Sequence, residues 1–216
     1  MSTERCRVLL ADDHALILEA FSSLLGDAYE VVGTVSDGRE LLNAAPRLRP
    51  DVIVLDIYMP NLNGLDAASK LRKTLPEVKL VFLTMNQDPA MIAAALNIEG
   101  SAYLLKSSAS TELFQAIEAV MSGKPYVTPL IGGDMLDTLR DDEGRRRVLG
   151  KLTLRQREVL QLLVEGNTMK EVADTLNVTP RTVAFHKYRM MQDLKIKSNS
   201  ELIQFAIKNG LIASSP

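Results

Sequence analysis

The stretch RVLLADDHALILEAF, residues 7–21, contains the pattern that decides the fold. Its run of four apolar residues is typical of a short strand that is buried on both faces. Two aspartates follow directly, and apolar residues then recur at the spacing of a helix. Such a strand–helix unit, if it recurs along the chain, predicts an open parallel sheet that is covered by helices.

Five apolar runs of this kind occur in the first part of the chain, and all are rich in Val, Ile and Leu. They are RVLLA (7–11), EVVGTV (30–35), VIVLD (52–56), KLVFLT (79–84) and AYLLK (102–106). Segments with helical spacing separate them, which predicts alternating β/α units over residues 1–124. We therefore predict an α/β domain with a flavodoxin-like, doubly wound, five-stranded parallel sheet of strand order 2-1-3-4-5.

The remainder of the chain has a different character. Residues 125–150 are dense in charge and contain glycines, which favours a linker. Beyond them, residues of the types that cap helices mark four helix starts: Thr153, Thr168, Thr179 and Ser198. Residues 151–216 are therefore predicted to form a small all-α domain of four helices. A chain of 216 residues with 46% hydrophobic content can fill a core in each of two domains.

The net charge of -2 is unevenly divided along the chain. Residues 1–124 carry 11 basic and 16 acidic side chains, whereas residues 151–216 carry 10 and 6. The basic excess favours contact between the second domain and an anion such as nucleic acid. No apolar run approaches the roughly 18 residues of a membrane span, and acidic residues come too early for a signal sequence. We expect a cytoplasmic protein without a membrane partner.

Side chains that can carry chemistry cluster at the carboxyl ends of the predicted strands. They are Asp12 and Asp13 after strand one, Asp56 in strand three, Thr84 in strand four and Lys106 in strand five. In the predicted strand order the three carboxylates converge, and two unit charges about 4 Å apart repel by about 4 kcal/mol at an effective dielectric constant of 20. Oxygen ligands of this kind favour a hard divalent cation, Mg²⁺ or Mn²⁺.

A metal beside a carboxylate, with a hydroxyl and an ammonium opposite, is the arrangement that phosphoryl transfer onto an aspartate needs. Asp56 would be the nucleophile, and Thr84 and Lys106 would bind the phosphoryl oxygens that the cation leaves free. A single aspartate at a strand end is more often a helix cap. Capping does not account for five suitable residues on four strands, so we favour a phosphoryl-transfer site.

Two sets of motifs resemble known domains. LLADDH, VIVLDIYMPNLNGLD, VFLT and AYLLK resemble the receiver domain of two-component response regulators. LTLRQREVLQLLVEGNTMKEVADTLNVTPRTVAFHKYRMMQDLKI is similar to the LuxR-type helix-turn-helix. In this order the motifs resemble the NarL/FixJ family across nearly all of the chain, apart from the linker.

The resemblance implies a role for each site residue. Asp13, Asp56 and the backbone carbonyl of Tyr58 would hold Mg²⁺ directly, whereas Asp12 would act through water. Tyr103 would be the aromatic residue that is coupled to Thr84 in the switch. Two residues beside the site depart from the common receiver pattern, because Met85 stands where a small residue is usual and Tyr58 is bulky. We expect these two side chains to obstruct the water that hydrolyses a phosphorylated Asp56.

The resemblance also implies the partners. A sensor histidine kinase would supply the phosphoryl group, and the phosphorylated protein would bind double-stranded DNA as a homodimer. The chain would act as a transcriptional regulator rather than an enzyme, since a receiver catalyses only its own phosphorylation and dephosphorylation.

Residues 168–193 fit a helix-turn-helix whose second helix begins at Pro180 and enters the major groove. Val183, Met190 and Leu194 recur at helical spacing, so we predict that they form its buried stripe. The residues that we expect to contact DNA lie on the two helices of this motif: Thr168, Lys170, Arg181, Thr182, Ala184, Phe185, Lys187, Tyr188 and Arg189.

The expected DNA-contacting residues divide by chemistry. Lys170, Lys187 and Arg189 would bind phosphates, which contributes affinity without sequence information. Ala184 and Phe185 would contact thymine methyl groups, and this predicts a preference for A·T-rich half-sites.

Two other function classes and one structural alternative stay open from the residues alone. A haloacid-dehalogenase-like phosphatase also pairs Mg²⁺ with a nucleophilic aspartate, but it would want a carboxylate where Tyr58 stands. A sensor of the autoinducer-binding kind would be expected to use tryptophan, and this chain has none. The last helix, 200–208, could form a dimer face or close the small core with the same apolar stripe: Leu202, Ile203, Ala206 and Ile207.

Overall fold

Two compact units, which divide after residue 142, make up the chain. The structure is a computed structural model and describes residues 5–85, 89–98, 101–131, 152–209 and 211. The first unit contains β1 (Arg7–Ala11), α1 (Ala15–Leu25), β2 (Glu30–Val35), α2 (Gly38–Leu48), β3 (Val52–Asp56), α3 (Gly64–Thr74), β4 (Lys79–Thr84), α4 (Pro89–Leu96), β5 (Ser101–Leu105), α5 (Ala109–Met121) and β6 (Tyr126–Val127). The second contains α6 (Leu154–Val164), α7 (Met169–Leu176), α8 (Pro180–Asp193) and α9 (Asn199–Lys208).

The sheet of the first unit is parallel throughout and has the strand order β2-β1-β3-β4-β5-β6. The predicted order 2-1-3-4-5 is thus confirmed, and β6 adds a short sixth strand beside β5. Two residues are too few to give a periodic signal, so the sequence placed them in the linker. Thr128 and Ile131 are also buried, so the first unit continues beyond residue 124, whereas residues 132–150 of the predicted linker lie outside the described residues.

The strands are apolar on both faces because helices cover both sides of the sheet. On one side, Val8, Val54 and Leu104 pack into one core with Phe21 of α1 and Leu113 of α5. Successive strand residues point to opposite faces. β1, β3, β4 and β5 are therefore largely buried, with their polar residues left at the strand ends. The expectation of burial on both faces is wrong for β2, which lies at the edge of the sheet and is only partly buried.

The second unit has four described helices, and each starts at a predicted capping residue. Thr153 and Thr168 form complete capping boxes with the residue three positions on. At α9 the reciprocal contact differs, because Glu201 accepts from the backbone N–H of Lys197 rather than from that of Ser198. The apolar faces of the helices share one core, which includes Val159, Val183 and Met190.

Within the part of the chain that the structure describes, the helices are too short or too polar to span a bilayer.

Candidate metal centre and nucleic-acid interface

Three of the predicted site residues meet at the carboxyl edge of the sheet. Asp12 follows β1, Asp56 ends β3, and Lys106 follows β5. The Lys106 Nζ lies 2.6 Å from Asp12 Oδ2 and 2.8 Å from Asp56 Oδ2. All three side chains are buried. One ammonium therefore lies between two carboxylates at the switch point of the sheet, where open α/β sheets bind their ligands.

Asp13 and His14 extend this cluster toward solvent. The His14 Nδ1 lies 2.8 Å from Asp13 Oδ1 and 3.2 Å from Asp12 Oδ1. The backbone N–H of His14 also donates to Asp12 Oδ1, at 2.9 Å. Ligand atoms of Asp12, Asp13, His14 and Asp56 all lie within 4.8 Å of one another. His14 was not among the residues predicted from the sequence, although its place directly after two aspartates was a usable signal.

The carboxylates fit a hard divalent cation. Asp12 Oδ2 is buried and has the Lys106 ammonium as its ion-pair partner at 2.6 Å. Three carboxylates face one lysine and one histidine, and oxygen donors of this kind suit Mg²⁺ or Mn²⁺. The backbone turns after Asp56, where the N–H of Tyr58 donates a hydrogen bond to Asp56 Oδ1 at 3.3 Å.

Burial sets the protonation of the central pair. It raises the pKa of Asp56, and the repulsion from Asp12 adds to this, whereas Lys106 and the Tyr58 N–H lower the pKa; the result is about 6. Burial also lowers the pKa of Lys106, but Asp56 and Asp12 outweigh it, so the net change in the lysine pKa is upward. The lysine therefore stays charged at neutral pH.

Thr84 and Tyr103 lie deeper in the sheet. Both side chains are fully buried. Thr84 ends β4, and its carbonyl oxygen accepts from the N–H of Lys106 at 2.8 Å. Of the two bulky residues that depart from the receiver pattern, Tyr58 is half-buried and Met85 is 78% exposed. The described peptide bonds are trans, including the one between Lys106 and Ser107.

The loop between β3 and α3 is held by two residues that the sequence analysis did not single out. A Cβ atom on Gly64 would lie 2.1 Å from the carbonyl oxygen of Asp56, so the start of α3 packs directly on the backbone of this aspartate. Asn61 has a φ of 63°, a conformation that asparagine tolerates better than most residues. Its side-chain amide donates to Asp37 Oδ2 at 2.9 Å, and Asp37 caps α2. The asparagine and glycine residues of the stretch PNLNG, residues 60–64, are the signal that could have found them, because both residue types favour turns.

The second unit presents most of its predicted DNA-contacting residues on the surface. Phe185 and Tyr188 of α8 are 57% and 62% exposed. The Arg189 guanidinium lies 6.0 Å above the ring of Phe185. Large exposed aromatic side chains beside basic ones are typical of a surface that meets a partner. Among the other predicted DNA-contacting residues, Thr168, Lys170 and Arg181 are exposed, whereas Thr182 and Ala184 are half-buried.

Lys187 differs from the other predicted phosphate contacts. It is 9% exposed and lies between Val183 and Met190 on the inward stripe of α8. Its Nζ lies 6.0 Å from the centroid of the Tyr188 ring, so the chain of methylene groups is buried and the end points toward the exposed aromatic. The spacing of positions 183, 187 and 190 could have predicted this burial, because residues three and four apart lie on the same face of a helix.

The apolar stripe of α9 is divided between the core of the unit and its surface. Leu202 and Ala206 are buried in the core of the unit. Ile203 and Ile207 are 41% and 40% exposed and lie one turn apart on the surface. The stripe therefore closes the small core with one half and leaves an apolar strip with the other.

Comparison with known proteins assigns a family to each unit. Residues 8–118 match the response regulator receiver domain, and residues 150–206 match the LuxR family of bacterial regulatory proteins. The chain is 33% identical to the oxygen regulatory protein NreC of Staphylococcus carnosus over 217 residues, which covers 95% of this chain and 99% of NreC. It is 34% identical to the transcriptional regulatory protein MctR of Rhizobium johnstonii, with 98% of each chain covered.

A solved structure is similar to this chain in both sequence and fold. It is RcsB from Salmonella enterica serovar Typhimurium, bound to promoter P1flhDC in the presence of the phosphomimetic BeF₃⁻. The TM-score is 0.62 at 27% sequence identity, and the match covers 93% of this chain and 98% of RcsB.

Proposed function

We propose a mechanism for this chain from the premise that it belongs to the NarL/FixJ family of response regulators, with a receiver domain and a LuxR-type DNA-binding domain. In this mechanism Asp56 accepts a phosphoryl group from a histidine kinase, and its phosphorylation controls DNA binding. Residues 1–131 would belong to the phosphoacceptor domain, since β6 and the buried Thr128 and Ile131 lie in the first unit, and residues 151–216 would form the DNA-binding domain.

The ion pair between Lys106 and the buried Asp56, at 2.8 Å, is the observation that carries the proposal. A carboxylate oxygen of Asp56 attacks phosphorus and forms a P–O bond, while the bond to the leaving group breaks and its electron pair departs with that group. The Lys106 ammonium then stabilises a phosphoryl oxygen, and the Thr84 hydroxyl at the end of the neighbouring strand binds another. Tyr103 would follow the movement of Thr84.

The carboxylates suit a cation in this reaction. Asp13, Asp56 and the Tyr58 carbonyl would hold Mg²⁺, with Asp12 acting through water, and Mn²⁺ could take the same place. When bound, the cation neutralises charge on the phosphoryl oxygens. Asp12 and Lys106 keep the site ordered, since each contacts the other at the buried edge of the sheet.

The second unit would bind double-stranded DNA through α8. Arg181, Phe185 and Tyr188 are exposed on this helix and would face the major groove. The exposed Ile203 and Ile207 of α9 suit a contact between two copies, and two copies would read two half-sites. We place this action in the cytoplasm, where the DNA partner and the kinase's phosphoryl donor domain are met.

Incubation with acetyl phosphate and Mg²⁺, followed by intact mass measurement, tests the phosphoryl acceptor. The wild-type chain should gain one phosphoryl group, and Asp56→Asn should gain none. Asp27→Asn is the matched control, because Asp27 is an exposed acidic residue in a turn of the same unit and should leave phosphorylation unchanged. Phosphorylation of Asp56→Asn at the wild-type rate would overturn the assignment.

A further inference from the structure

A cavity of about 260 Å³ lies in the second unit, where α6, α7, α8 and α9 meet. Its apolar lining includes Leu163 of α6 and Leu202 and Ile203 of α9, and its polar lining includes Thr168 and Lys187. Pockets for drug-sized ligands usually have volumes of about 300 to 1,000 Å³. The cavity therefore suits a smaller chemical group that has a polar end.

The polar end of the cavity is marked by a buried ammonium. Among the described residues that line the cavity, Lys187 is the only charged one, and it is 9% exposed. A buried lysine is usually paired with an acidic group. The described residues give the Lys187 Nζ no hydrogen bond and no ion pair, and the Tyr188 ring, at 6.0 Å, lies at the outer limit of a cation–π contact. The ammonium therefore has donor groups left for an anion.

Two helices begin at the same cavity. Met169 and Asn199 are the first residues of α7 and α9, and both line it. The N–H groups of a first helical turn have no partner within their helix, and the helix dipole adds positive potential there. The capping residues Thr168 and Ser198 accept from the third residue of each helix rather than from the first. Two helix starts and one ammonium therefore offer donors to the same anion.

The acidic residues of these helix starts have other partners. Glu171 accepts from the N–H and the hydroxyl of Thr168, and Glu201 accepts from the N–H of Lys197. Both glutamates are exposed, and neither lines the cavity. Their negative charge therefore stays outside the site.

We propose that this cavity binds a phosphate group, with the Lys187 ammonium and the N–H groups of Met169 and Asn199 as its donors. Phosphate oxygens are strong acceptors, and helix N-termini are common phosphate sites. The DNA backbone is one source of the group, and inorganic phosphate is another. The inference rests on the proposed function where DNA is the source, because the first helix of a helix-turn-helix crosses the DNA backbone and α7 is that helix.

Three variants of the full chain separate the charge of Lys187 from its packing. Lys187→Met removes the ammonium and keeps an unbranched side chain between Val183 and Met190 in the inward stripe. Lys187→Arg keeps the charge. Lys208→Met is the matched control, because it removes the same charge at the exposed end of α9, away from the cavity.

Inorganic phosphate is the first probe, titrated at constant ionic strength against chloride. Amide NMR of the wild-type chain should show saturable shifts at Met169 and Asn199, which tests the site without any substitution. Lys187→Met should weaken this binding about 10-fold, because it loses a charge-assisted hydrogen bond. Lys187→Arg and Lys208→Met should bind phosphate within about two-fold of the wild type.

DNA is the second probe, with one phosphate at a time replaced by a neutral methylphosphonate in a site selected from random sequence. At one position the replacement should weaken wild-type binding about 10-fold but change binding of Lys187→Met less than about two-fold, because the charge that it pairs with is already gone. Lys187→Arg and Lys208→Met should keep the wild-type pattern.

The two probes identify the source of the group. A coupled DNA position without shifts from inorganic phosphate assigns the site to the DNA backbone, and saturable shifts without a coupled position assign it to free phosphate. The proposal is overturned by a negative result with both probes, or by binding that Lys187→Met leaves unchanged. A wild-type chain that binds no DNA would instead contradict the proposed function, and the phosphate titration alone would then decide the site.

Discussion

The receiver unit and the DNA-binding unit place their functional groups in opposite environments. Asp12, Asp56 and Lys106 are buried at the edge of a sheet, and the Lys106 ammonium lies 2.6 Å from Asp12 and 2.8 Å from Asp56. Phe185 and Tyr188 of the other unit are more than half exposed. The charges of the first unit are thus already paired with one another, whereas the proposed DNA contacts of the second are side chains that face solvent.

This difference has an energetic consequence. In the receiver unit burial raises the pKa of Asp56 to about 6, and the repulsion from Asp12 adds to this against the opposing effect of Lys106. In the DNA-binding unit Glu158 is buried and lies 2.9 Å from the partly exposed Arg155 on the same helix. Arg155 also donates to the carbonyl of Leu176 and so joins α6 to the end of α7. The charged groups of this unit therefore connect helices, whereas those of the receiver unit gather at the proposed phosphorylation site.

The largest effect is expected from removal of a ligand in the receiver unit. Asp13→Ala should slow phosphorylation by acetyl phosphate and Mg²⁺ about 100-fold or more, because the cation loses a direct ligand. Asp13 is 35% exposed, so the fold should persist. The rate is measured by intact mass beside Asp27→Ala as the control. A rate within about three-fold of the wild type would contradict the metal-ligand role.

The second-largest effect is expected from a substitution at Gly64, which packs against the backbone of Asp56. Gly64→Ala should lower the free energy of unfolding by about 3 kcal/mol, because the new Cβ would lie 2.1 Å from the Asp56 carbonyl oxygen. Phosphorylation of the folded fraction should slow as well, since Asp56 must shift. Gly26→Ala is the control, where the added Cβ would meet a carbonyl oxygen at 3.2 Å. Urea denaturation measures the free energy of unfolding of both variants. An equal loss in Gly64→Ala and Gly26→Ala would show that the backbone around Gly64 moves easily to accommodate the new Cβ.

Removal of the buried charge should stabilise the metal-free receiver. The folded pKa of Asp56 is raised from 3.8 to about 6, so its penalty is absent below about pH 4, grows between about pH 4 and 6, and is fully present at pH 7. Asp56→Asn should therefore raise the free energy of unfolding at pH 7 by about 1 to 3 kcal/mol and leave it nearly unchanged at pH 4. Thermal denaturation in a chelator checks this. A variant less stable than the wild type at pH 7 would show that the attraction to Lys106 dominates.

The smallest effects are expected on the surface of the DNA-binding unit. Lys170→Ala and Arg189→Ala should each weaken binding to all sequences by about 1 kcal/mol and reduce the salt slope by about one. Both residues are exposed, whereas Lys187 is 9% exposed. Lys187→Ala should therefore change the stability of the unit as well as its affinity. Fluorescence anisotropy at several salt concentrations separates these outcomes, and a sequence-dependent loss in Lys170→Ala would contradict a phosphate contact.

Sequence reading on the same surface has a separate test. Phe185→Ala should reduce the preference for thymine at the positions that α8 contacts, by about 1 kcal/mol or more per site. Selection from random DNA, followed by uracil in place of thymine, measures it. Enriched sites without thymine, or uracil substitution without loss, would show that the exposed aromatic does not read DNA in this way.

The sequence by itself determined the succession of strands and helices along the chain and the starts of the last four helices, while the order in the sheet was expected from the topology that is common to doubly wound folds. Buried parallel strands need continuous apolar runs, and capping residues such as Thr153 and Thr168 satisfy backbone groups at a helix start. Both signals depend on residues that are close together in the sequence, so they can be recognised without knowledge of distant residues. The convergence of Asp12 and Asp56 also followed, because the strand order fixes which ends are neighbours.

Only the tertiary structure decided how close these groups come and which side chains are buried. The contact of Lys106 with both carboxylates, the place of His14 beside Asp13 and the fit of Gly64 against Asp56 depend on atoms far apart in the chain. The burial of Lys187 depends on the neighbouring helices. From its residue type alone a lysine on an amphipathic helix is expected to be exposed to solvent. Local patterns fix elements and their order, whereas distances and burial come from packing between elements.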